Sequence, residues 1–172
     1  LAKVTLGQDE ADSLRSDGLL DHVHDVACLL IAAEQSGITR AVMQMSIEYA
    51  KTRHQFDKPI GVYQGVSHKI VDMYTGAEHA TSLLYKAAWA AHDAPSEAGL
   101  SAWTAKAWAD EAAFTATASA IQVHGGIGFT WEHDLHLFYK RARSNRVLFE
   151  GPGSLKQRIS QHVHGPREVR VD

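Results

Sequence analysis

The chain has 172 residues, of which 45% are hydrophobic and 22% charged, with a formal net charge of -3. That length supports one core, or one large domain of a longer protein, and the charge balance excludes the basic footprint of a nucleic-acid binder. A single cysteine, Cys28, excludes an intrachain disulfide and suits a reducing, cytoplasmic setting.

The chain opens on Leu1, as expected of a fragment. A short strand is expected at Lys3–Leu6, followed by polar linker to residue 18. A long helix is expected over Leu19–Thr52, because Cys28, Ile31, Ile38, Val42, Met45 and Tyr49 fall on one stripe. Cys28 lies in the apolar run DVACLLIAA and reads as a buried thiol. That run is too short to cross a membrane, and no signal peptide is expected. RHQFDKPIGVYQ then reads as a loop, since Pro59 and Gly61 break helix.

A second helix is expected over Gln64–His92, with Val66, Ile70, Met73, Ala77, Ala80, Leu84 and Ala91 on one face. After the turn DAPSEAG, a third covers Glu97–His124, with Leu100, Trp103, Ala107, Phe114, Ala118 and Ile121 in register. GGIGF ends it, as adjacent glycines accept left-handed backbone. A short helix is expected over Glu132–Arg143. A last one begins near Ser154, where Ser154 and Gln157 have capping-box spacing and Leu155, Ile159 and Val163 form a face. The polar tail spans 165–172. The fold class is therefore all-α: an antiparallel bundle of three long helices plus two short C-terminal ones, over residues 19–164.

Three loops carry candidate chemistry. Arg53 suits either the negative end of its helix dipole or a phosphate. QVHGGIGF offers bare glycine backbone and the Gln122 amide, as a ligand contact or as a plain helix cap; it is not a Rossmann fingerprint, since no strand precedes it. RVLFEGPGSL places Glu150 on a corner. The apolar Leu148 and Phe149 would raise a carboxyl pKa, and the following helix N-terminus would lower it. WEHDLH and HVHD fit no zinc spacing, so no metal site is expected.

In this order, YAKTRHQFDKPIGVYQ, QVHGGIGFTWEHDLHLFYKRAR and LFEGPGSLKQRI resemble the C-terminal helical domain of the acyl-CoA dehydrogenase family. The GFTWEHDLHLFYKRA form looks like actinobacterial members, some of which act on sterol side-chain thioesters as heteromers. The resemblance spans about Asp25 to Val163. It implies a flavoenzyme that converts an acyl-CoA to a trans-2-enoyl-CoA. A carboxylate takes the α-proton, FAD takes the β-hydrogen as hydride, and electron-transferring flavoprotein is the acceptor. Residues 1–18 then read as a linker or the remnant of a preceding β-domain.

Carried over by position, the resemblance makes Glu150 the base. Arg53 and Gln55 match contacts to the FAD diphosphate region, and Tyr63 and Gln64 a second FAD contact. Gln122, Val123, His124, Gly125 and Gly126 match a segment that meets the FAD of a neighbouring subunit, which implies a dimer or tetramer, homo- or heteromeric. Pro152, Gly153 and Ser154 match a flavin-contacting stretch. Asp25 and Gly151 match substrate contacts. The two flavin loops are expected to set a flavin before Glu150.

Some members place the base on the first long helix instead; here that position is Ala27, which cannot serve. Cys28 stands where an arginine near CoA is common. Pro152 stands where threonine is common, and it lacks the backbone N–H a flavin would use. Three alternatives share the fold: an acyl-CoA oxidase, a flavin monooxygenase, or a non-catalytic assembly subunit. Without the preceding domains the chain is expected to be inactive alone.

Overall fold

The computed structural model describes residues 18–165. The strand expected at Lys3–Leu6, the rest of residues 1–17 and the tail beyond Gly165 lie outside the described residues. Helix α1 spans Leu19–Thr52, α2 Gln64–Asp93 and α3 Pro95–His124. The shorter α4 spans Leu135–Asn145 and α5 spans Pro152–His164. Thus α4 begins later than expected, because residues 131–134 turn before the helix starts. Pro95 sits in the first turn of α3, where its missing N–H has no helical acceptor to lose. Gly125, at φ 62°, ends that helix.

The pairings give the direction of each helix. Trp103 meets Asp25, Asp110 meets Gln35, and His124 stacks on Tyr49, so α3 runs parallel to α1. Gly76 lies against Ala112 and His79 meets Trp108, so α2 runs antiparallel to α3, and hence to α1. Consecutive long helices are therefore antiparallel, as expected. Among the described residues α1 alone is long and apolar enough to pass for a membrane span, yet 56% of that window is buried within the bundle.

Alanines, rather than the bulkier residues, form the core face of α3. Ala102, Ala105, Ala109, Ala113, Ala116 and Ala120 are buried, spaced three or four apart. Of the stripe expected there, only Ile121 is buried. Leu100, Trp103, Ala107 and Phe114 are half-buried, and Ala118 is exposed. The reason is geometric: α3 packs against α1 and α2 together, and small side chains let backbones come close. A Cβ added at Gly76 of α2 would lie 3.4 Å from the Ala112 Cβ. Likewise Ala91 and Val163 are exposed, while Ala87 and Ala90 take the buried places on α2. On α1 four of the six expected residues, Cys28, Ile31, Ile38 and Val42, are buried, and Met45 and Tyr49 are half-buried.

Two packing clusters position the candidate site. At one end, Val42, Met43, Met73, Ile121, Val123 and Leu135 pack together under the C-terminal end of α1. At the other, Leu155 of α5 packs on Cys28 and Ala102. That contact brings the corner before α5 against the start of α1.

Candidate active site

The first constellation lies at the C-terminal end of α1. Arg53 is its C-cap, with extended backbone. The next residues form a hairpin rather than an open loop: β1 (His54–Gln55) pairs antiparallel with β2 (Lys58–Pro59). Phe56 and Asp57 both take positive φ in the turn, which suits the twist of a two-residue hairpin but strains side chains with a Cβ. The Tyr63 hydroxyl donates to the Gln55 carbonyl at 3.0 Å and ties the hairpin down.

Across a cavity of about 370 Å³, Arg53, Gln55 and Tyr63 face Val123, His124, Gly125 and Gly126. His124 Nδ1 lies 2.8 Å from the Ala120 carbonyl, so that nitrogen carries the proton and Nε2 is an acceptor. Burial pulls the His124 pKa below its usual value; the Ala120 hydrogen bond opposes this and His133 adds to it. Tyr49 stacks on the ring with centroids 4.3 Å apart. A Cβ added at Gly125 or Gly126 would meet nothing within 4 Å, so their backbone faces open space. Among the described residues Arg53 forms no ion pair. An available guanidinium, an exposed amide at Gln55 and bare glycine backbone form a donor set that fits a diphosphate.

Gln64 and Gln122 do not line this cavity, and both are exposed beside it. Tyr49, Phe56, Ile60 and Val66 also line it, though the sequence marked Tyr49 and Val66 only as apolar-face residues and none of the four as a site residue. For Tyr49 a signal existed: it lies four residues before Arg53, and so one helical turn away on the same face.

The second constellation is the corner at Glu150. Glu150 N–H donates to the Leu148 carbonyl at 2.8 Å across Phe149, whose φ is 62°. A tight turn of this hand is strained for a residue with a Cβ. It turns Val147, Leu148 and Phe149 toward solvent. Of the two influences weighed for Glu150, an apolar surround is therefore not supplied by those neighbours. Instead the carboxylate, 9% exposed, meets polar groups of its own chain. Arg158 Nε lies 3.0 Å from Oε2, His24 Nε2 lies 3.1 Å from the same oxygen, and Ser154 Oγ donates to Oε1.

The capping box expected at Ser154 does not form, because α5 begins at Pro152, with Gly151 as its N-cap, and Ser154 is already helical. Pro152 sits in the first turn, where a missing N–H leaves no helical bond unmade. Asp25 lies close by, with Oδ1 accepting from the Trp103 indole at 2.7 Å. Arg158 stacks over the same indole at 5.1 Å. Ala27 and Cys28 are buried, and burial chiefly pushes the Cys28 thiol up to about 11, so it stays protonated.

The structure thus gathers the sequence-predicted residues into two groups, not one. Residues 24 and 53 both belong to the described α1 region, and at about 1.5 Å per residue the helix carries them about 40 Å apart. That is farther than one dinucleotide reaches. Within one chain, the Arg53 and Gly125–Gly126 loops and Glu150 therefore stand at opposite ends of α1. Elsewhere, His133 and His136 bind local backbone through their ring nitrogens. Among the described residues no group of three or more His, Cys, Asp or Glu could hold a metal.

Residues 25–161 match the model of the acyl-CoA dehydrogenase C-terminal domain, so the chain belongs to the acyl-CoA dehydrogenase family. It is 40% identical over 141 residues to acyl-CoA dehydrogenase IpdE2 of Mycobacterium tuberculosis, covering 82% of this chain and 42% of that protein. The fold superposes on a variant of the Tcur3481-Tcur3483 steroid ACAD with a TM-score of 0.82 and 29% identity, over 86% of this chain and 41% of that one. It also superposes on the ChsE4-ChsE5 complex of Mycobacterium tuberculosis, with a TM-score of 0.78 and 31% identity, over 84% of this chain and 40% of that one. The chain spans less than half the length of these relatives.

Proposed function

We propose that this chain is the C-terminal part of an FAD-dependent acyl-CoA dehydrogenase, with Glu150 as the base that takes the α-proton of an acyl-CoA. The carrying observation is the convergence of Arg53, Gln55 and the Gly125–Gly126 backbone on one cavity, a donor set for the diphosphate of FAD. Tyr63 supports that cavity, with Val123 and His124 as its opposite wall. Gln64 and Gln122 stand at its edge as further amides. When bound, FAD supplies a hydride acceptor for the β-hydrogen of the acyl group.

The chain's own residues do the rest. Glu150 accepts the α-proton on a carboxylate oxygen, after that oxygen leaves Arg158 and His24. Arg158, stacked on Trp103, then keeps a cation beside the site. Gly151 brings backbone close to the thioester. Gly153 and Ser154, in the first turn of α5, and Pro152 present a surface to the flavin. Asp25, held by Trp103, orients the substrate side of the corner.

The two constellations lie too far apart for one flavin, so we assign them to two. The Arg53 cleft serves a neighbouring chain's FAD, and the enzyme works as a dimer or tetramer in the cytoplasm. Both the Tcur3481-Tcur3483 steroid ACAD and the ChsE4-ChsE5 complex carry two names, which supports a heteromer, and the first is called a steroid ACAD, which supports a steroid-derived acyl group as one substrate class. Electron-transferring flavoprotein is the proposed acceptor. An oxidase would instead pass electrons to oxygen, so peroxide formation separates it from a dehydrogenase; a flavin monooxygenase would put oxygen into its substrate and needs no α-proton base, so Glu150 argues against it.

A second reading has its own support. Three side chains of this same chain already engage Glu150, as in a subunit that keeps the bundle for assembly only. Glu150→Gln in the full-length holoprotein decides between them, because it keeps the shape and removes the base. Flavin reduction by acyl-CoA that survives the substitution overturns the first reading. The 172-residue chain alone should show no acyl-CoA turnover, and robust turnover by it would overturn the need for further domains.

A further inference from the structure

We propose that Lys106 is a positioning residue for Glu150, acting through the Glu150 backbone carbonyl; this rests on the reading of Glu150 as the base. Lys106 lies in the middle of α3 and is fully buried, which is rare for lysine unless it is paired. Its Nζ lies 2.7 Å from Asp110 Oδ2 and donates to the Glu150 carbonyl at 3.0 Å. Asp110, also fully buried, accepts from Gln35 Nε2 on its other oxygen at 2.8 Å. The same Gln35 nitrogen reaches the Ala142 carbonyl at 3.0 Å. One buried chain of hydrogen bonds therefore ties α1, α3 and α4 to the backbone of the corner.

Lys106 and Asp110 are four residues apart on one helix, so they could satisfy each other without the corner. The ammonium nonetheless gives one of its three donors to Glu150. The corner needs such a hold. Phe149 is strained, and Val147, Leu148 and Phe149 face solvent, so packing at their side fixes little. A buried ion pair is also a weak source of stability, since well-packed apolar residues often do as well. Its use here is to fix the Glu150 backbone against α3. A base displaced by about 1 Å loses rate on the order of 100-fold.

The test uses the full-length holoprotein carrying Lys106→Met with Asp110→Asn, which removes both buried charges and keeps an acceptor for Gln35. Flavin content and substrate affinity should stay within about twofold of the parent. The rate of flavin reduction in a single anaerobic turnover should fall about 10- to 100-fold, and the isotope effect with Cα-deuterated substrate should grow. A reduction rate within about twofold of the parent overturns the proposal. If the double variant loses its flavin, Lys106→Gln decides. Its amide is uncharged and one bond shorter, so it cannot hold Asp110 and the Glu150 carbonyl together as the ammonium does, and the same fall is expected. Flavin loss in both makes Lys106 a folding residue and also overturns the proposal. Glu150→Gln is run beside them. If it leaves flavin reduction unchanged, the reading of the base fails; if it abolishes reduction while the Lys106 variants reduce normally, only the positioning role fails.

Discussion

At the C-terminal end of α1, Arg53 stands without an ion pair among the described residues, facing glycine backbone and a His124 that burial keeps neutral. At the N-terminal end, Glu150 is engaged by Arg158, His24 and Ser154, and its carbonyl by Lys106. The first site has positive charge and donors without a counterpart among the described residues. The second is closed on itself. An open cationic cleft gains most from an external anion, because no internal bond must break first. An internally paired carboxylate must exchange partners before it can take a proton. The two ends thus differ in what they need from outside: one needs a ligand, the other a trigger.

The largest effect should come from the closed end. Glu150→Gln in the holoprotein should slow flavin reduction about 10²- to 10⁴-fold, as read in anaerobic stopped flow. Next comes a test of the distance between the ends. Glu150→Gln and Arg53→Met chains, each impaired alone, are co-expressed with two tags and isolated as mixed oligomers. If the cleft serves a neighbour's flavin, one site per mixed pair regains both groups, and activity returns to about half of the parent per pair. No recovery would place the Arg53 and Glu150 of one chain at the same flavin.

Arg53→Met alone should weaken FAD binding by about 1.5–3 kcal/mol, the range for a hydrogen bond to a charged group, measured by flavin titration of the apoprotein. Unchanged affinity would remove the diphosphate from the open end. The smallest effect concerns His124. Its folded pKa is depressed, so its contribution to stability is present above about pH 6.5, the unfolded value, and is lost as pH falls through the lower folded pKa. Thermal unfolding of the parent should therefore drop more steeply below that pH than unfolding of His124→Gln. Parallel profiles would mean that the ring charges freely in place.

The three long helices could be read from periodicity, because apolar repeats of three and four survive on α1 and most of α2. The face of α3 could not. Periodicity weighted by side-chain size favours Trp103 and Phe114, whereas packing against two neighbours favours Ala105, Ala109 and Ala113. The candidate site residues were legible by type: Arg53, Gly125, Gly126 and Glu150 each stand where a helix breaks. Lys106 was not, since a lysine within an alanine-rich helix looks like any solvated charge until its burial is known.

By itself, then, the sequence determined the helices, their order, the family and which residues bear charge at the loops, because these depend on spacing along one chain. The tertiary structure decided what those charges meet. It put Arg53 and Glu150 at opposite ends of a 34-residue helix, and it buried Lys106 beneath the corner. Both outcomes depend on how α5 and α3 pack against α1, a relation between distant segments that no local pattern encodes.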